Sequence, residues 1–135
     1  MIGIDTNVLI RYVVGDEPEQ SATASEMIER TIDGGETLFI SQIVLCEFVW
    51  VLSHAYRFTR DEIVDALQQV RRSAQMTIEG ADEVRRATEA YAVQRGDFAD
   101  YIIAERCMAS GCSSVATFDR VLHADQRFAA PDRIR

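Results

Sequence analysis

Four acidic residues stand where an acid is out of place: Asp5, Glu47, Asp100 and Asp119. Asp5 ends the apolar run Ile2-Gly3-Ile4 and leads straight into Thr6-Asn7 and further aliphatic residues. An unpaired aspartate between two segments patterned like buried chain costs free energy. Asp119 closes the run SVATFD in the same way. Glu47 has Ile43, Val44, Trp50 and Val51 at its helical i±3 and i±4 spacings, which predicts a place on a buried face rather than a solvent stripe. Asp100 lies in the first turn of a helix, with Ile103 and Ala104 one turn on and Asp97 one turn back. Helix-dipole stabilisation accounts for Asp97 more readily than for Asp100.

Carboxylates gathered away from water either take up protons, with coupled and raised pKa values, or are neutralised by cations. They are hard oxygen donors, suited to Mg²⁺ or Mn²⁺. No histidine or cysteine is paired with them at a spacing that suits Zn²⁺. His54 and His123 are far apart in sequence and read as incidental. Four carboxylates around one or two divalent ions point to metal-assisted phosphodiester hydrolysis. One ion acidifies a bound water, and metal charge steadies the leaving oxygen. Most other acids, such as Asp61, Glu62 and Asp65 or Asp82, Glu83 and Glu89, share helices with arginines and read as solvated faces.

The charge balance narrows the function classes. The chain carries 22 acids against 14 bases, a formal charge of −8, and every base is an arginine. Without lysine it excludes P-loop NTPases, Schiff-base enzymes and phosphoryl-transfer folds that use a lysine side chain. An acidic chain cannot hold nucleic acid by bulk attraction, so local arginines or bound cations must do it. Cys46, Cys107 and Cys112 form neither an even framework nor a CxxC pair and read as reduced, packing thiols. The 135 residues fit one domain, 1–135. No apolar stretch approaches a membrane span of roughly 18 residues. Asp5 interrupts the only candidate leader, so a cytoplasmic protein is expected.

The elements that must position these acids alternate. Strands are predicted over 2–5, 38–41, 76–78 and 113–118, with a short edge strand near the C-terminus. Helices are predicted over 8–14, from Pro18 to the Gly34-Gly35 stop, over QIVLCEFVWVLSHAY, after Thr59 as N-cap, over ADEVRRATEAYAVQRG, and after Asp97 as N-cap. Strands separated by helical periods give an α/β class, with a mostly parallel sheet and helices on both faces. Such sheets place their sites beyond the carboxyl ends of the strands, where Asp5 and Asp119 fall.

MIGIDTNVLI, LFISQIVLCEFVWVL, GDFADYIIAERCMASGC and SVATFDR, in this order and over nearly the whole chain, resemble successive motifs of the PIN domain. The compact single-domain form is similar to VapC-type toxins of prokaryotic type II toxin–antitoxin systems. The resemblance implies a Rossmann-like three-layer sandwich with a four- to five-stranded sheet, and a Mg²⁺- or Mn²⁺-dependent endoribonuclease. It assigns Asp5, Glu47, Asp100 and Asp119 to the metal-binding catalytic quartet, and Asp97 to a position less uniformly acidic in the family. Thr6, Asn7 and Thr117 match polar positions that orient the acids, with Ser41 at the end of the second strand as a further candidate. A homodimer and a small VapB-like antitoxin are implied partners. The segments 8–14 and 43–52 offer the antitoxin a groove, or else only pack the core. Arg11 and Arg120 are candidates to guide RNA, whereas Arg71-Arg72 and Arg85-Arg86 read as solvated faces. The RNA expected is single-stranded or looped, with a backbone able to enter an acidic crevice. Alternatives are a PIN-type nuclease in RNA maturation or DNA processing, and a non-catalytic acidic metal-binding or phospho-acceptor module. The last normally needs a lysine beside its acids, and the chain has none.

Overall fold

Strand β2 (Leu38–Ile40) is the middle of a three-stranded parallel sheet, flanked by β1 (Ile2–Gly3) and β3 (Met76–Ile78). Leu38 lies opposite Ile2 on one side and opposite Met76 on the other. Leu38 and Ile40 are wholly buried while Phe39 is half-buried, the alternation a pleated strand imposes. Parallel neighbours require long crossovers, and each here carries two helices. Helices α1 (Thr6–Val14) and α2 (Pro18–Asp33) join β1 to β2; α3 (Gln42–His54) and α4 (Arg60–Arg72) join β2 to β3.

The sequence writes the ends of these helices. Gly15, at φ 67°, stops α1, and Pro18 opens α2. Thr59 and Glu62 form a reciprocal capping box on α4, each side chain accepting the other's amide at 3.2 and 2.9 Å. Helix α1 packs on α2 and α3, and α3 on α4. Leu9, Ile10, Ile28, Leu45, Phe48, Leu52, Ile63 and Leu67 fill the core between them.

This computed structural model describes residues 1–135 and divides them into two compact units, Met1–Ala81 and Asp82–Arg135. The C-terminal unit holds α5 (Ala81–Val93), α6 (Phe98–Ala109) and a parallel pair, β4 (Val115–Ala116) with β5 (Phe128–Ala129). A 3₁₀ turn, Arg120–Ala124, lies between those two strands. Tyr91 meets Phe98 edge-on at 6.2 Å, and Tyr101, Ile102, Leu122 and Phe128 complete this core. Gly96 is needed here for room. Its N–H donates to Tyr101 Oη at 2.8 Å, and a Cβ would stand 2.7 Å from that oxygen and collide with Leu122 Cδ2.

Every strand pairing is parallel, as an α/β chain of this pattern predicts, but the strands hydrogen-bond as a group of three and a group of two. They are also shorter than the periodicity suggests. The first ends at Gly3 rather than residue 5, and the fourth spans two residues rather than 113–118. The reason is local. Asp5 Oδ1 accepts the Thr6 amide at 2.7 Å and Asp119 Oδ1 accepts that of Val121 at 3.0 Å, so each acid caps a turn instead of continuing a strand. No helix is long and apolar enough to cross a membrane.

Candidate active site

Three acids of the C-terminal unit sense one another. Asp97 is the extended N-cap of α6, and its N–H donates to Asp100 Oδ2 at 3.1 Å. The Asp100 N–H returns a bond to the Asp97 carbonyl at 3.0 Å, so the Asp100 side chain is held in one orientation. Desolvation pushes the Asp100 carboxyl above the usual range. The Asp97 amide opposes that shift, and the negative charges of Asp97 and Asp119 add to it. Asp119 donates its own N–H to Thr117 Oγ1 at 3.0 Å while capping the 3₁₀ turn. The Thr117 carbonyl in turn accepts from His123 Nε2 at 3.1 Å. Asp100 and Asp119 are thus fixed by short hydrogen bonds from their own backbone neighbourhood.

In the N-terminal unit, Asp5 caps α1 and Glu47 stands midway along α3. The expectation that Glu47 is embedded in a buried face is corrected: it is exposed, between Ile43 (71% exposed) and Trp50 (61% exposed). Helix α3 is apolar on nearly every side, so apolar neighbours do not reveal which side faces the core. The buried side is Val44, Leu45, Phe48, Val49 and Leu52. Asp5, Asp97 and Asp119 are likewise exposed, and Asp100 is half-buried. Partial desolvation of Asp100, with the negative charges of Asp97 and Asp119 added to it, distinguishes this cluster. Glu47 also acts on its neighbour Cys46, whose thiol is pushed up to about 11 by desolvation first and the Glu47 charge second. Cys46 therefore stays a protonated packing thiol at neutral pH.

The remaining candidates separate by what they touch. Thr6 is buried, with Oγ1 unpartnered, and Asn7 is exposed. Ser41 Oγ accepts the Val44 amide at 3.1 Å and serves as the N-cap of α3. Arg11 is held in a bracket between α1 and α2. It donates to Gln20 Oε1 at 2.6 Å and Tyr56 Oη at 3.0 Å, and Tyr56 Oη donates on to Asp16 at 3.1 Å. Along 8–14 and 43–52, Leu9, Ile10, Val44, Leu45, Phe48, Val49 and Leu52 pack the core, leaving Tyr12, Ile43 and Trp50 exposed. Arg120 is exposed.

No group of three or more His, Cys, Asp or Glu side chains is placed so that it could hold a metal ion. What the C-terminal unit offers is an open, oxygen-only set, Asp100 and Asp119 with Asp97 beside them. That donor chemistry fits Mg²⁺ or Mn²⁺, ions that retain waters and take few protein ligands.

Sequence reading missed Glu105, Asp125 and Arg127, which form an ion network in the same unit. Glu105 and Asp125 are each 8% exposed. Glu105 accepts from Arg86 Nε at 2.6 Å and from Arg127 Nη1. Arg127 also grips Asp125 with Nε at 3.0 Å and Nη2 at 2.7 Å, and Gln94 Nε2 adds a bond to Asp125 at 3.3 Å. The network ties α5 and α6 to the segment that leads into β5. The test that singled out Glu47 applies equally to Glu105, whose i±3 and i±4 neighbours Tyr101, Ile102, Met108 and Ala109 are all apolar.

Comparison with known proteins agrees with the order of these motifs. The model of the PIN domain matches residues 2–129. The chain is 27% identical over 117 residues to the VapC ribonuclease of Aquifex aeolicus (strain VF5), covering 87% of this chain and 86% of that protein.

Proposed function

Because the chain belongs to the PIN domain family, we propose that it is a Mg²⁺- or Mn²⁺-dependent endoribonuclease and the toxin of a type II toxin–antitoxin pair. The observation that carries the catalytic reading is the set Asp97, Asp100 and Asp119, with Asp100 raised by desolvation and by its neighbours' charge. Groups so perturbed concentrate at functional sites. The name of the Aquifex relative supports RNA as the substrate. A divalent ion held by Asp100 and Asp119 would supply an acidified water as nucleophile and positive charge for the leaving oxygen. Asp97 fixes Asp100 through its amide, and Thr117 fixes Asp119. Asp5 and Glu47 are the acids of the N-terminal unit in this reading, with Thr6 and Asn7 adjoining Asp5. The partners are single-stranded RNA, a small VapB-like antitoxin and a second copy of the chain.

The test is cleavage of single-stranded RNA by purified protein. Activity with Mn²⁺ or Mg²⁺, loss on chelation, and loss in Asp5→Asn and Asp100→Asn with unchanged circular dichroism support the proposal. Undiminished cleavage in both variants contradicts it. The toxin role has its own readout. Induced expression should arrest growth, and co-expression of a small neighbouring reading frame should restore it. Healthy growth with active enzyme would favour RNA maturation instead.

A further inference from the structure

Asp119 is followed at once by a concave basic surface. Arg120, His123 and Arg133 line a cavity of about 500 Å³ in the C-terminal unit, with Phe128, Ala129, Ala130 and Asp132. That volume lies within the ordinary range for ligand pockets. The charge around it is unusual for this chain. The N-terminal unit holds thirteen acids and six arginines, a formal −7; the C-terminal unit holds nine acids and eight arginines, a formal −1. Within the latter, Arg85, Arg86, Arg106 and Arg127 are all spent in ion pairs with Glu89, Glu105, Glu83 and Asp125. Arg120 and Arg133 take part in no ion pair, and both line the same cavity. Two guanidinium groups without an ion-pair partner in one concavity of an acidic protein suit an anion, and a planar fork suits phosphate oxygens.

The cavity is also mechanically joined to the acid cluster. Asp119 caps the 3₁₀ turn that begins with Arg120, and His123, on the same turn, is anchored to the Thr117 carbonyl. A carbonyl only accepts, so His123 Nε2 carries the hydrogen, and the ring orientation is fixed by the strand end that also positions Asp119. Asp132 brings the opposite chemistry. Its carboxylate repels phosphate but accepts from hydroxyl and amino groups, so the cavity pairs anion donors with one acceptor. A ribonucleotide, with its phosphate and its 2′-hydroxyl, presents both partners.

We infer that this cavity is a ribonucleotide-binding subsite beside the acid cluster, in which Arg120 and Arg133 hold a phosphate of single-stranded RNA and Asp132 accepts from the ribose 2′-hydroxyl. The assignment rests on the ribonuclease reading above and adds a positioning site to it. Anisotropy of a fluorescein-labelled 12-nucleotide RNA, measured in chelator so that nothing is cut, tests it; cleavage of the same RNA with Mn²⁺ is followed in parallel. Both arginines are exposed, so replacing them leaves the fold intact, with circular dichroism as the check. Arg120→Ala and Arg133→Ala should each weaken binding about tenfold, and together they should lower the slope of log affinity against log salt by about 0.7, the value for one phosphate contact on a single strand. Lysine at both positions should restore most of that slope. A DNA of the same sequence should bind less tightly than RNA, and Asp132→Ala should narrow the difference. If the double alanine variant binds RNA with unchanged affinity and slope while wild type cleaves it, the subsite is wrong and the ribonuclease reading stands. If wild type neither binds nor cleaves RNA, both fall.

Discussion

Replacing Arg127 with methionine keeps most of the side-chain volume and removes the charge that binds two buried carboxylates. In the wild type its guanidinium makes two bonds to Asp125 and one to Glu105, and its main-chain N–H makes another to Asp125 at 3.0 Å. The variant leaves Glu105 with Arg86 alone, and Asp125 with Gln94 and one backbone amide. Removing one partner of a buried pair costs roughly 3–5 kcal/mol. Arg127 keeps 24% of its side chain exposed, and Arg86 still compensates Glu105, so the lower end, about 3 kcal/mol, applies. For a chain of this length each kcal/mol moves Tm by roughly 3–4 °C, so the midpoint should fall by about 10 °C in calorimetry at pH 7. The loss should also depend on pH. The Arg127 hydrogen bond holds the Asp125 carboxyl below the usual carboxylate range, against the opposing effect of burial. A depressed acid contributes fully above its unfolded pKa, about 3.9, and loses its contribution as pH falls through the folded value. The difference between wild type and variant should therefore narrow on acidification below about pH 4. A loss under about 1 kcal/mol at pH 7, or one that does not change in acid, would refute this account of the network.

Asp100→Asn should raise the Tm of the metal-free protein at pH 7 while abolishing RNA cleavage. The folded state disfavours the ionised form of Asp100, so the stabilisation should be present above its raised pKa and vanish in acid; thermal melts at pH 3 and 7 check this. Gly96→Ala should cost roughly 1–3 kcal/mol, because the new methyl meets Tyr101 Oη and Leu122, and it should disturb the adjacent Asp97–Asp100 pair; denaturant unfolding measures the first effect and cleavage rate the second. Cys46, with its thiol near 11 and partly buried, should resist iodoacetamide at pH 8 while exposed Cys112 is alkylated, as read by peptide mass spectrometry.

Local chemistry made much of the fold legible. Pro18, Thr59 and Asp97 each mark a helix start because capping depends on residues within one turn, and all three helices begin there. Met76–Ile78 is a strand, as predicted, with β-branched Thr77 and Ile78 in it. The candidate site was legible as a set of residue types but not as environments. Glu47 looks buried because α3 carries apolar residues on both its packed and its solvent side, and periodicity cannot distinguish them. Asp5 and Asp119 look like strand residues, yet their side chains compete for the next amides and turn the chain. The Glu105–Arg127–Asp125 network stayed hidden because its central partners are 22 residues apart and only the folded chain brings them together.

The central claim, that the acids around Asp100 hold a divalent ion, is tested most directly by following Tm as Mn²⁺ is added to wild type and to Asp100→Asn. A ligand that binds only the folded state stabilises it progressively, by about 2.7 kcal/mol at a hundred times its Kd. Wild type should show that saturating rise, and Asp100→Asn should lose it despite its higher starting Tm. An equal rise in both proteins, or none in wild type, would contradict the claim.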